Sequence, residues 1–178
     1  NEGLKFEIAG ILVRNLSKPR IDDTKCLTTN PDDILNNPDI EVVIETMGGV
    51  DPTLTLLVRA LESGKTVVTA NKEVVARHWN ELTQAARKGN AGLYFEASVC
   101  GGIPIIRALN ESMRSNQILD IMGILNGTTN YILHQMIEFG KTFEDALAEA
   151  QEKGFAERNP SADVEGHDAC RKICILAS

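Results

Sequence analysis

Hydrophobic positions follow two tempos along the first hundred residues of this chain. Short runs in which nearly every residue is apolar or β-branched occur at Lys5–Val13 (KFEIAGILV), Ile40–Thr46 (IEVVIET), Lys65–Ala70 (KTVVTA) and Leu93–Ala97. Such runs predict strands buried within a parallel sheet. Between them, apolar residues recur every three or four positions, which is the helical period. A short helix is expected near Pro31–Leu35. Pro52 opens another, with Leu54, Leu57, Val58 and Leu61 on one face and Gly64 at its end. A longer helix carries Val75, Trp79, Leu82 and Ala86 and closes near Gly89. Strands and helices in strict alternation predict right-handed βαβ units.

After about residue 100 the rhythm changes. A helix carrying Ile105, Ile106, Leu109 and Met113 leads to a predicted strand, Ile118–Leu125. Helices over Thr129–Phe139 and Phe143–Lys153 follow, the second with Thr142 as its N-cap and Asp145 three residues on. Gly154 ends it. The fold class expected is therefore α/β: a partial Rossmann-type parallel sheet over residues 1–97, then the start of an α+β domain over 98–178. The chain opens on a strand and stops while Ile173, Ile175 and Leu176 still run apolar, so a piece of a longer protein is expected.

Composition narrows the function. With 43% hydrophobic residues the 178-residue chain can bury a core. Its net charge of −7, with no Lys/Arg cluster and 4% aromatics, argues against nucleic acid as a partner. No run of apolar residues approaches a membrane span, and no signal-like N-terminus is present. Cys26, Cys100, Cys170 and Cys174 lack metal-type spacing, and a reduced, cytoplasmic state accounts for them. Cys170 and Cys174 read as small buried hydrophobes of the last helix. Cys100 invites a nucleophile reading, with no His or Asn near it in sequence to support one.

The densest candidate chemistry lies between Gly154 and Lys172 (GFAERNPSADVEGHDACRK). Glu157 stands in a loop, and Asp168 and Lys172 follow four residues apart, stacked on one face of a helix. The plain alternative is a solvated ion pair worth about 0.3–0.5 kcal/mol. The loop between, with Asn159, Pro160, Ser161, Asp163 and Gly166, is turn-rich and compact.

Ligands in doubly wound sheets bind beyond the carboxyl ends of strands. The first strand finishes at Arg14 with Lys18 close behind, a pair suited to a ribose 2′-phosphate or simply to solvent. The next ends in Thr46-Met47-Gly48-Gly49, where small residues admit a cofactor to the backbone. Lys72 follows the third. Glu96 precedes Val99, Gly101 and Ile103 in a glycine-rich turn; it either caps the helix starting at Pro104 or offers oxygens to a hard cation, and spacing favours capping. Asn126-Gly127-Thr128-Thr129-Asn130 presents amides, hydroxyls and a helix N-terminus suited to a carboxylate.

Five stretches taken together resemble homoserine dehydrogenase: VVIETMGG (42–49), GKTVVTANKEVVA (64–76), FEASVCGGIPIIRAL (95–109), GILNGTTNYIL (123–133) and the 154–172 motif. The resemblance implies a Rossmann domain followed by a dimerising, substrate-binding α+β domain, here lacking the first strand with its glycine loop and everything after Ser178. It implies interconversion of L-homoserine and L-aspartate 4-semialdehyde with NADP or NAD, toward threonine and methionine, by a homodimer in the full-length enzyme. By motif, Lys172 exchanges a proton with the substrate oxygen beside Asp168. Glu157 receives the substrate ammonium, with Gly154, Asp163, Thr129 and Lys72 around the same small amino acid. Arg14, Lys18, Thr46, Gly48, Lys72 and Gly154 fall at cofactor positions. Glu96 with the backbone of Val99, Gly101 and Ile103 matches a sodium site, although Cys100 stands where a glycine is expected. A related semialdehyde or amino-acid reductase is the second enzyme reading, and a non-catalytic interaction module is the reading from another class.

Overall fold

Parallel pairing begins at β1 (Ile11–Leu12), which lies against β2 (Leu27–Thr28) with Ile11 opposite Leu27. The computed structural model describes residues 3, 5–20 and 26–178. The strand expected over Lys5–Val13 is thus reduced to two residues. Among the described residues β2 offers only those two positions a ladder partner, and Phe6 and Ile8 are left exposed.

Helix α1 (Asp32–Leu35) precedes β3 (Val42–Glu45), α2 (Thr53–Glu62) and β4 (Thr66–Thr69). Lys65, itself buried, donates its ammonium protons to the carbonyls of Asn37 (2.6 Å) and Ile40 (2.7 Å), so the charge is solvated by backbone. Strand β4 is central, parallel to β3 on one side and to β5 (Leu93–Tyr94) on the other. Val67 at its middle is fully buried, and Leu57, Ala60 and Leu61 of α2 are buried in the same unit. Strand β3 inverts the hydropathy of its residues: Ile44 is 72% exposed while Glu45 is buried.

The single helix expected between the last two strands is two helices, α3 (Lys72–Arg77) and α4 (Trp79–Gly89), broken at His78 (φ −124°, ψ 30°). The two stretches serve different bodies. One compact unit comprises Asn1–Thr69 and Asn80–Tyr94, and the other comprises Ala70–Trp79 and Phe95–Ser178. Helix α4 buries Leu82 and Ala85, and Gly89 at its end sits where a Cβ would lie 1.8 Å from the carbonyl oxygen of Leu61.

In the second unit a 3-10 turn (Glu96–Ser98) leads to α5 (Ile105–Arg107), which widens into a π turn over Ala108–Ser112. The strand expected at Ile118–Leu125 does not form. Among the described residues it has no ladder partner, and Leu119, Met122 and Ile124 are exposed. Helices α6 (Gly127–Phe139) and α7 (Phe143–Glu152) pack through Ile132, Ala146 and Ala150, with Ala156 from the following loop. The alanines let the helix backbones approach closely. Thr142 caps α7 by accepting from the Asp145 N–H (3.1 Å), as the sequence predicts. A short helix, α8 (Ser161–Val164), and α9 (His167–Leu176) complete the unit, with α9 packed on α3. Cys170 and Cys174 are exposed rather than buried, because they lie on the face of α9 away from Asp168 and Ile175.

Candidate functional site

Asn126 organises the charged residues of the second unit. Gly127 begins α6, so Asn126 is its N-cap, and its Oδ1 accepts from the N–H (2.8 Å) and Oγ1 (3.0 Å) of Thr129. That fixes the amide, whose Nδ2 donates to Asp163 Oδ1 (2.7 Å) and Asp168 Oδ2 (2.9 Å). A single buried side chain thereby ties the start of α6 to α8 and to the first turn of α9.

Asp168 is 3% exposed and takes both lysines. Lys172, one turn on, meets Oδ2 at 2.8 Å, and Lys72 from α3 donates to Oδ1. Lys172 also donates to the Leu125 carbonyl (2.7 Å). A second pair joins the same two helices with the charges reversed, Arg171, three residues after Asp168, meeting Glu73, the neighbour of Lys72, at 3.2 Å. The Asp168–Lys172 pair is therefore not the solvated surface pair that its spacing alone allows. Burial pushes the Asp168 carboxyl up, but hydrogen bonds from Lys172, Lys72 and Asn126 outweigh it and hold the group down at about 2. At neutral pH one buried carboxylate faces two ammonium groups. With Asp163 held through Asn126, the network sets two carboxylates against two lysines, and its lysine side is the part that suits an anionic or developing oxyanion guest.

Of the residues expected at the substrate, this network joins Lys72, Thr129, Asp163, Asp168 and Lys172. Glu157 and Gly154 stand outside its hydrogen bonds among the described residues. Glu157 is exposed and its backbone carbonyl accepts from Gln151 Nε2 (3.1 Å); Gly154 closes α7 with φ 75° and is exposed. A hollow of about 620 Å³ in the same unit is lined by Trp79, Phe95, Ile106, Leu109, Ile173 and Leu176 among others, none of them in the charged network.

The residues expected at the cofactor lie mostly in the first unit. Arg14 and Lys18 are exposed after β1, where Arg20 holds the loop by donating to the carbonyls of Lys18 (2.8 Å) and Asn15 (2.9 Å). Thr46 and Gly48 are exposed at the exit of β3. Gly48 (φ 72°) and Gly49 (φ 70°) are both left-handed, and no atom lies within 4 Å of where their Cβ would be. Here glycine is required by backbone angle, and the space a side chain would fill is clear.

Glu96 caps a helix, as its spacing suggests: Oε1 accepts from the Ile106 N–H (2.8 Å) and Oε2 from the Arg107 N–H (2.9 Å). No group of three or more His, Cys, Asp or Glu residues among the described residues is placed to hold a metal ion. No helix among them is long and apolar enough to cross a membrane.

A family model described as "Homoserine dehydrogenase, NAD binding domain" matches residues 1–96, and one described as "Homoserine dehydrogenase" matches 104–178. The chain belongs to the homoserine dehydrogenase family. A curated homoserine dehydrogenase of Bacillus subtilis is 49% identical over 177 residues, covering 98% of this chain and 41% of the relative. That of Corynebacterium glutamicum is 46% identical, covering 99% and 40%. The crystal structure of a homoserine dehydrogenase from Thiobacillus denitrificans superposes with a TM-score of 0.85 at 44% identity, covering 95% of this chain and 39% of that one. A hyperthermophilic archaeal homoserine dehydrogenase solved with NADPH gives 0.79 at 35% identity, covering 88% and 48%. The chain thus spans about two fifths of the length of the curated relatives it matches.

Two polar residues of this chain have tasks that the sequence does not announce. Asn126 stands in a segment read as suited to a carboxylate, but that its amide joins Asp163 and Asp168 is not encoded locally. Glu45 is an acid inside an apolar run, and only its burial marks it out.

Proposed function

We propose that the complete protein interconverts L-homoserine and L-aspartate 4-semialdehyde with NADP(H), in a cytoplasmic homodimer serving threonine and methionine synthesis. The observation that carries this reading is the buried Asp168 shared by Lys72 and Lys172. Lys172 exchanges a proton at the substrate oxygen, and Asp168 keeps the lysine side chain oriented. The Leu125 carbonyl gives that ammonium a second acceptor, limiting its rotation. Lys72 adds positive charge where an alkoxide develops. Glu157, exposed on its loop outside that network, receives the substrate ammonium, and Thr129, Asp163 and Gly154 border the amino acid.

The nicotinamide, when bound, supplies or accepts the hydride. The left-handed turn at Gly48-Gly49 fits close approach of such a group, and a nicotinamide cofactor as such is supported by the archaeal relative solved with NADPH. Arg14 and Lys18 favour a 2′-phosphate over a free hydroxyl. Glu96 and the carbonyls of Val99, Gly101 and Ile103 would hold sodium. The all-oxygen donor set fits a hard cation, and each Glu96 oxygen keeps a lone pair beyond its capping bond.

In the complete enzyme, Lys172→Ala should lower kcat by about 10²–10⁴-fold with cofactor binding retained. Near-normal turnover removes Lys172 from the chemistry. Substrate profiling against other semialdehydes separates this reading from a related reductase.

A further inference from the structure

Glu45 is a buried acid with a structural task that no expected site residue performs. The parallel register sets Glu45 of β3 directly beside Thr69 of β4, so both side chains emerge on one face at the carboxyl end of the sheet. Both are buried, at 5% and 1% exposure. Thr69 donates its hydroxyl proton to Oε2 at 2.5 Å, which anchors the carboxyl group to the central strand. Oε1 then accepts two backbone N–H groups from the turn ahead of it, those of Met47 (2.6 Å) and Gly48 (3.0 Å). The far side of the same turn is tied by Thr53 of α2, whose hydroxyl donates to the Gly48 carbonyl (3.1 Å). Gly48 and Gly49 are left-handed, and no atom lies within 4 Å of where their Cβ atoms would be.

We infer that Glu45 is a positioning residue: it pins the Thr46–Gly49 turn from beneath so that its exposed backbone is preformed for the cofactor. The inference rests on the cofactor reading of that turn. Two consecutive left-handed residues have wide conformational freedom when unbound, and ordering them on binding weakens affinity. A carboxyl group that already holds two of the turn's N–H groups removes that loss. An amide does the same in part, since a glutamine oxygen accepts both N–H groups while its NH₂ donates to the Thr69 oxygen.

The test uses full-length enzyme carrying Glu45→Ala and Glu45→Gln, with circular dichroism as the check on folding. Glu45→Ala should raise the cofactor KM by about tenfold while the substrate KM and kcat stay within about threefold. Glu45→Gln should restore the cofactor KM to within about threefold of wild type. Hydrogen exchange of the wild-type peptide covering residues 46–50, with and without NADPH, runs alongside. Protection there, with an unchanged cofactor KM in folded Glu45→Ala, overturns the positioning role and leaves the cofactor site standing. No protection in wild type overturns both. If Glu45→Ala does not fold, Thr69→Val, which releases one anchor, should raise the cofactor KM selectively by a smaller factor. An equal loss across kcat and both KM values would mean a purely structural role.

Discussion

Asp168 is the residue whose environment departs furthest from what its neighbours in sequence suggest. Its carboxyl is held at about 2 in the folded chain by Lys172, Lys72 and Asn126 against the opposing effect of burial. A group whose folded pKa is depressed contributes stability above its unfolded value, and that contribution is lost as pH falls through the folded value. Between pH 4 and pH 2, wild type should therefore lose about 1–2 kcal/mol more than Asp168→Asn in urea unfolding, screening at the half-exposed Lys72 end limiting the amount. Equal pH slopes for the two proteins would refute it. Asn126→Ala strips the α6 cap and leaves two carboxylates each short of a donor. It should cost about 2–3 kcal/mol, read as a lowered urea midpoint. The Asp168–Lys172 pair is legible from spacing alone. Lys72, 96 residues away in sequence from Asp168, is not, because no local pattern encodes which distant helix a charge will meet.

Among the elements, those whose start and stop signals are local match the sequence closely. Helix α7 has its Thr142 cap and Gly154 stop where expected, and Thr142→Ala should cost about 1 kcal/mol in thermal or urea unfolding. Gly89 is a contrasting case. It reads as a routine helix end, yet the Leu61 carbonyl occupies the space of a side chain. Gly89→Ala should destabilise the first unit by about 3 kcal/mol or more, far beyond the usual gain from replacing a helical glycine, and a Tm equal to wild type would show that the contact relaxes freely. Two of the elements that differ from expectation, at Lys5–Val13 and Ile118–Leu125, are strands. A strand needs a partner that its own sequence does not supply, so apolar character at those positions is necessary without being sufficient. The helix break at His78 is hidden for a related reason: apolar periodicity runs through it, and only the division of the packing between two units reveals it.

For the molecule as a whole, the α/β class and the family are legible from motifs, whereas the path of the chain is not. The backbone leaves the first unit at Thr69, contributes α3 to the second, returns at Asn80, and leaves again after Tyr94. A product cut at residue 97 would carry Lys72 and Glu73 without Asp168 and Arg171. It should show α3 amides exchanging freely while those of β4 stay protected, and slow exchange along α3 would contradict this. The pairings across α3 and α9 join residues 96 and 98 positions apart. During synthesis, then, α3 must wait for its partners until nearly a hundred further residues have been made. Its ion pairs form only once α9 has followed, and a nascent-chain complex stalled before His167 should still offer Lys72 to amine-reactive reagents.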